Sequence, residues 1–171
     1  MKKFLFFCAF IALSFQIICA QSQNKEQKSP YTLEENISYL KGDEYTNKRC
    51  VLDVYFPNSK EDLPTLIYFH GGGLKRGNKY IPDYLKEKGL IVVAVNYRFF
   101  PKVSVKEIIG DAAVSVKWVY DHIKKYGGSR DKIFLSGHSA GGYITSMLGL
   151  DASYLENVGL KPNQIAGLIP L

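Results

Sequence analysis

Ile133-Phe134-Leu135-Ser136-Gly137-His138-Ser139-Ala140-Gly141-Gly142 carries the strongest structural signal in this chain. Three β-favouring residues run straight into Gly137-His138-Ser139-Ala140-Gly141, and a helix-compatible segment follows, from about Ala140 to Leu150. A G-x-S-x-G pattern wedged between a strand and a helix demands a tight bend. Gly137 and Gly141 lack side chains where strand and helix must nearly touch. Ser139, at the apex, is expected to hold a strained backbone with its hydroxyl exposed. The helix start points unsatisfied N–H groups and a partial positive charge the same way. Taken alone, the pattern also fits a plain strand-to-helix turn with a capping serine.

Strands and helices alternate on either side of it. Thr65-Leu66-Ile67-Tyr68-Phe69 is a nearly continuous β-favouring run, and Leu90-Ile91-Val92-Val93-Ala94-Val95 is uninterrupted and apolar. Such strands are buried on both faces, which implies a parallel sheet covered by helices. Residues 107–126 place Ile108, Ala112, Val116, Val119 and Ile123 at intervals of three and four, the spacing of a long helix that Gly127-Gly128 stops. Lys79–Lys88 has helical spacing at Tyr80, Ile81, Tyr84 and Leu85, with Pro82 in its first turn. Ile37–Leu40 and Cys50–Phe56 read as a hairpin around a turn at 43–49, and Ile165–Ile169 as a last strand. The expected class is therefore α/β: a mostly parallel sheet flanked by helices.

A second glycine motif, His70-Gly71-Gly72-Gly73, ends the strand at 65–69. Its N–H groups are not screened by side chains. No G-x-x-x-x-G-K-[ST] or G-x-G-x-x-G pattern supports a phosphate-gripping loop. Together with Leu52-Asp53-Val54-Tyr55, Asn96-Tyr97-Arg98 and Asp111, the two glycine motifs make residues 49–171 resemble the α/β-hydrolase superfamily. The resemblance is to carboxylesterases related to hormone-sensitive lipase and to small secreted bacterial esterases.

That resemblance implies roles by position. Ser139 is the expected nucleophile, and the N–H groups of Gly72, Gly73 and Ala140 are expected to stabilise the oxyanion. His70 is expected to anchor the glycine loop, Tyr97 and Arg98 to brace the sheet end, and Asp111 to organise the loop before the long helix. The implied chemistry is covalent hydrolysis of a small acyl ester, with acetyl or hydroxycinnamoyl groups on polysaccharide as a fitting substrate class. Hydrolysis of an amide or peptide, or ligand binding without catalysis, are the alternatives. No cofactor or metal is expected.

In this superfamily the chain order is serine, then carboxylate, then histidine. After Ser139 the acids are Asp151 and Glu156, and no histidine follows; His70, His122 and His138 all precede it. The expectation is a C-terminally truncated α/β-hydrolase domain at 36–171, inactive or weak by itself, with a last strand that leaves an exposed edge.

Lys2-Lys3, an apolar run from Phe4 to Ile18 and Cys19-Ala20 before a polar segment have the form of a signal peptide at 1–20. A transmembrane or lipid anchor fits the pattern less well. Residues 21–35 read as a disordered lead-in, and the protein as secreted or periplasmic. Cleavage would leave Cys50 as the lone cysteine, excluding an internal disulfide, and would lower the formal net charge of +6 by two. A surplus that small, without aromatic interleaving, argues against nucleic-acid binding. The implied partners are ester substrates, with no stable membrane insertion; the sequence leaves the oligomeric state open.

Overall fold

A computed structural model describes residues 29–58 and 60–171. It contains six strands: β1 (Tyr31–Ser38), β2 (Val51–Pro57), β3 (Leu63–Phe69), β4 (Ile91–Val95), β5 (Gly128–Gly137) and β6 (Gly167–Pro170). The helices are α1 (Glu44–Arg49), α2 (Val105–His122), α3 (Ala140–Leu150) and α4 (Ala152–Glu156). The strands form one sheet in the order β1-β2-β4-β3-β5-β6. β4, β3, β5 and β6 run parallel, while β1 and β2 add an antiparallel edge. This is a mixed sheet flanked by helices, consistent with an α/β-hydrolase fold.

The core forms where the apolar periodicities meet. Ile67 and Phe69 of β3, Ile91, Val93 and Val95 of β4, and Ile133 and Leu135 of β5 are fully buried. So are Ile108, Ala112, Val116 and Val119 of α2, and all these residues pack in one cluster. α2 starts at a reciprocal cap between Ser104 and Glu107, which satisfies N–H groups the first turn leaves open. Its continuation, Ile123–Tyr126, tightens into a 3-10 turn and ends at Gly127 with φ of 82°.

Four local expectations change. The signal peptide at 1–20 and most of the lead-in lie outside the described residues, but residues 31–35 of the lead-in belong to β1. The turn at 43–49 is the helix α1, because Asp43 caps it by accepting from Thr46 N–H at 2.7 Å. The helix expected at 79–88 shrinks to a 3-10 turn, Asp83–Leu85. There Pro82 has an extended ψ of 132°, Glu87 has a positive φ, and Tyr80 and Tyr84 stay exposed, so no apolar face drives a longer helix. β5 begins at Gly128, five residues before the expected start at Ile133, by pairing with Leu63.

Candidate active site

The parallel pairing of β3 and β5 brings the two glycine motifs together. Phe69 lies opposite Gly137, so His70 and His138 both leave the sheet at the same end. Phe69 O accepts from His138 N–H at 3.3 Å and ties the two turns to each other. Ser139 has φ 55° and ψ −112°, a conformation costly for a residue with a side chain. Three contacts hold it there. Its N–H donates to Leu171 O at 2.7 Å, Gly141 N–H donates to His138 O at 2.9 Å, and Tyr143 N–H donates to Ser139 O at 3.0 Å.

The glycines are required by proximity. A Cβ on Gly141 would overlap Phe69 O, and one on Gly137 would stand 2.5 Å from the carbonyl carbon of Gly141. Gly72, with φ of 120°, has room for no side chain either, since a Cβ there would overlap Arg76 O.

Ser139 is exposed and its hydroxyl makes no capping bond. It borders a cleft of about 590 Å³ together with Gly72, Gly73, Lys75 and Arg76. Ala140 begins α3, so its N–H has no partner within the helix. Among the described residues, the N–H groups of Gly72, Gly73 and Ala140 donate to no backbone carbonyl. Gly72 and Gly73 line the cleft itself, and Ala140 follows Ser139 directly.

His70 is a buried strut. Its Nδ1 lies 2.6 Å from Gly71 O, and a carbonyl only accepts, which puts the proton on Nδ1. Its ring stacks on Tyr97 at 4.5 Å, and Tyr97 Oη donates to His70 O at 2.6 Å. Burial pushes its pKa down to about 4, so the ring is neutral near pH 7. Tyr97 is itself held by Arg49, whose Nε donates to Tyr97 O at 3.1 Å while its guanidinium lies over Phe99. Arg98 grips buried Asp111 through two bonds, 2.8 Å and 2.6 Å, joining the segment after β4 to α2. That pairing holds the Arg98 guanidinium above its ordinary pKa.

The other histidines and late acids do not gather at Ser139. His122 lies at the far end of α2, stacked on Trp118 and 2.7 Å from its carbonyl oxygen. His138 turns its Nδ1 toward Gly71. Asp151 caps α4 through Ser153. A larger cleft of about 700 Å³, bordered by Lys60, Asp62, Lys125 and Arg130, lies at the opposite end of the strands. Among the described residues no three His, Cys, Asp or Glu side chains group as a metal site, and no helix is long and apolar enough to cross a membrane. The sequence reading did not single out Lys75 and Arg76; the signal was two adjacent cations directly after the glycine loop.

The chain is similar to known proteins in sequence and in fold. A probable isoprenylcysteine alpha-carbonyl methylesterase from Arabidopsis thaliana is 36% identical over 123 residues, 69% of this chain and 25% of that protein. A tuliposide A-converting enzyme from Tulipa gesneriana is 32% identical over 129 residues, 63% of this chain and 34% of that enzyme. The chain thus spans about a quarter to a third of the length of these curated relatives. Among solved structures, esterase B from Lactobacillus rhamnosis superposes with a TM-score of 0.69 at 24% identity, covering 94% of this chain and 54% of that one. A bacterial heroin esterase does so with a TM-score of 0.63 at 20% identity, covering 92% and 49%. These two likenesses concern the fold. The family model named BD-FAE matches residues 52–164, and the chain belongs to that family, within the carboxylesterase-related α/β-hydrolases.

Proposed function

We propose that the full-length protein is a serine carboxylic-ester hydrolase and that Ser139 is its nucleophile. The observation that carries the proposal is the strained, outward Ser139 beside a cleft bordered by unpaired backbone N–H groups. In this reading Ser139 Oγ attacks the ester carbonyl carbon and its proton passes to a histidine base. The carbonyl oxygen becomes an oxyanion and accepts from Gly72 or Gly73 and from Ala140. One such donor is worth about 3 kcal/mol when removed. The base protonates the departing alkoxide, and water then hydrolyses the acyl-enzyme by the same steps in reverse roles.

His70 is buried with its Nδ1 on Gly71 O, and His122 is held on Trp118 O, so the reading does not take the base from either. The reading takes the carboxylate and histidine from the remainder of the full-length protein, the chain spanning 25% and 34% of two curated relatives. The signal-peptide-like sequence pattern at 1–20 would make it an exported enzyme. Export and membership of this family support short acyl groups, acetyl or hydroxycinnamoyl, on polysaccharide as the substrate class.

The test is turnover of p-nitrophenyl acetate, acetylated or feruloylated oligosaccharide, an anilide and a dipeptide by the full-length protein and its Ser139→Ala variant. Ester cleavage that the variant loses supports the proposal. Ester cleavage retained by the variant removes Ser139 as nucleophile. Cleavage of the anilide or dipeptide alone replaces the ester reading with another acyl bond.

A further inference from the structure

The cleft beside Ser139 has a sign. Of its five lining residues, Lys75 and Arg76 are charged, both are cations, and no carboxylate shares the lining. Both are exposed. Among the described residues, neither takes part in an ion pair, whereas Lys79 is paired with Asp53, Arg98 with Asp111 and Lys132 with Asp62. Arg49, which among the described residues also lacks a carboxylate partner, is turned onto Phe99 and the Tyr97 carbonyl. Lys75 and Arg76 therefore present their charge to whatever enters the cleft.

Their placement is fixed by the glycine loop rather than left to a loose surface segment. The N–H groups of Lys75 and Arg76 both donate to Gly72 O, each at 3.2 Å. The turn is closed by Gly77, where a Cβ would stand 2.5 Å from His70 Nδ1. Phe100 backs the Lys75 ammonium, whose Nζ is 5.6 Å from the ring centroid, and Phe100 N–H donates to Leu74 O at 2.9 Å. The same loop that supplies Gly72 and Gly73 thus carries two unneutralised cations to the rim. Charges of one sign in a cleft concentrate ligands of the other sign and raise their capture rate.

We infer that Lys75 and Arg76 select esters carrying a carboxylate near the scissile carbonyl, an inference that rests on reading Ser139 as the nucleophile. The carboxylate remains a spectator; the bond broken is the same ester C–O bond. Either the acyl or the alcohol part could carry it, and the two arms of the test separate these sources.

The acyl arm compares mono-p-nitrophenyl succinate with its neutral amide analogue, p-nitrophenyl succinamate, on the full-length protein. The alcohol arm compares 4-acetoxybenzoate with 4-acetoxybenzamide. In at least one arm the anionic ester is expected to have a kcat/KM higher by about fivefold or more, the scale of two exposed ion pairs. The preference is expected to shrink as salt rises from about 20 mM to about 0.5 M. Lys75→Ala with Arg76→Ala should bring the anionic-to-neutral ratio to about one, Arg76→Glu should lower it further, and Lys75→Arg with Arg76→Lys should restore it. A ratio near one in both arms, or one the substitutions leave unchanged, overturns the inference while the neutral esters still report the esterase reading. If no ester turns over, the esterase reading fails separately. Equilibrium binding then decides the charge claim: salt-sensitive binding of 4-acetoxybenzoate over 4-acetoxybenzamide that the double alanine variant loses supports it, and equal or no binding overturns it.

Discussion

Gly71 lies directly against Ser139: a Cβ on Gly71 would stand 3.5 Å from Ser139 Cβ and 3.0 Å from the His138 carbonyl oxygen. Residues 68 positions apart in sequence come within reach of a single added methyl group because β3 and β5 are parallel neighbours in fixed register. The site is thus a consequence of sheet order. The glycine loop and the serine turn emerge side by side, and any slip between the strands would separate them.

The close approach at the other face of the bend sets a steric prediction. Gly141→Ala places a methyl group on the carbonyl oxygen of Phe69, among backbone atoms of Phe69 and His70 with nothing flexible to yield. Urea denaturation should show a loss of roughly 3 kcal/mol, the upper end of overpacking costs. A loss below about 0.5 kcal/mol would mean that strand and helix are not in contact there.

Strain at the apex predicts the opposite sign for a different change. Glycine tolerates the φ of 55° and ψ of −112° that Ser139 adopts without a side-chain clash. Ser139→Gly is expected to raise stability by about 1 kcal/mol, part of the strain being offset by greater freedom in the unfolded chain. A destabilised variant in thermal or urea unfolding would argue that the bend is not strained.

Burial of His70 gives a pH dependence. Its folded pKa of about 4 lies below the ordinary value of 6.5, so the unfolded chain binds the proton more readily between those values. The stability tied to neutral His70 is therefore complete above about pH 6.5 and is lost as pH falls toward about 4. The loss is about 3 kcal/mol in order of magnitude. Urea midpoints measured from pH 7.5 to pH 4 should fall more steeply in the native chain than in His70→Gln. Parallel curves would contradict the assignment.

Arg98 and Asp111 couple the segment after β4 to α2, and Asp111 is almost wholly buried. Asp111→Ala strands the guanidinium and should cost about 3 kcal/mol. Replacing both residues together by an apolar pair should cost less than the single change, which a double-mutant cycle would measure.

What the sequence made legible follows from which signals are local. The strands at Thr65–Phe69 and Ile91–Val95, the long helix and the glycine bend were readable because apolar runs, helical spacing and glycine placement act within a few residues. β1 was readable only at its end, where Ile37 and Ser38 pair with β2 as the hairpin reading expects; its first residues were not, because Asn36 takes a φ of 58° at a break in register. Its N–H there donates to Asp53 Oδ1 at 2.8 Å, so alternation fails where pairing continues. α1 occupies residues whose composition suggests a turn, although Asp43, Glu44, Lys48 and Arg49 carry the capping and charge pattern of a short helix. The contact between Ser139 N–H and Leu171 O could not be foreseen, since it depends on where β6 ends beside β5. The bracing roles expected for His70, Tyr97, Arg98 and Asp111 appear as direct hydrogen bonds.

In the proposed reaction the hydroxyl of Ser139 is the reactive group. Treating the full-length protein with a fluorophosphonate and mapping the adduct by peptide mass spectrometry addresses it most directly. A single stoichiometric adduct on the peptide containing Ser139, lost in Ser139→Ala, is the expected result. No adduct on the native protein, or one on another residue that persists in the variant, would contradict it.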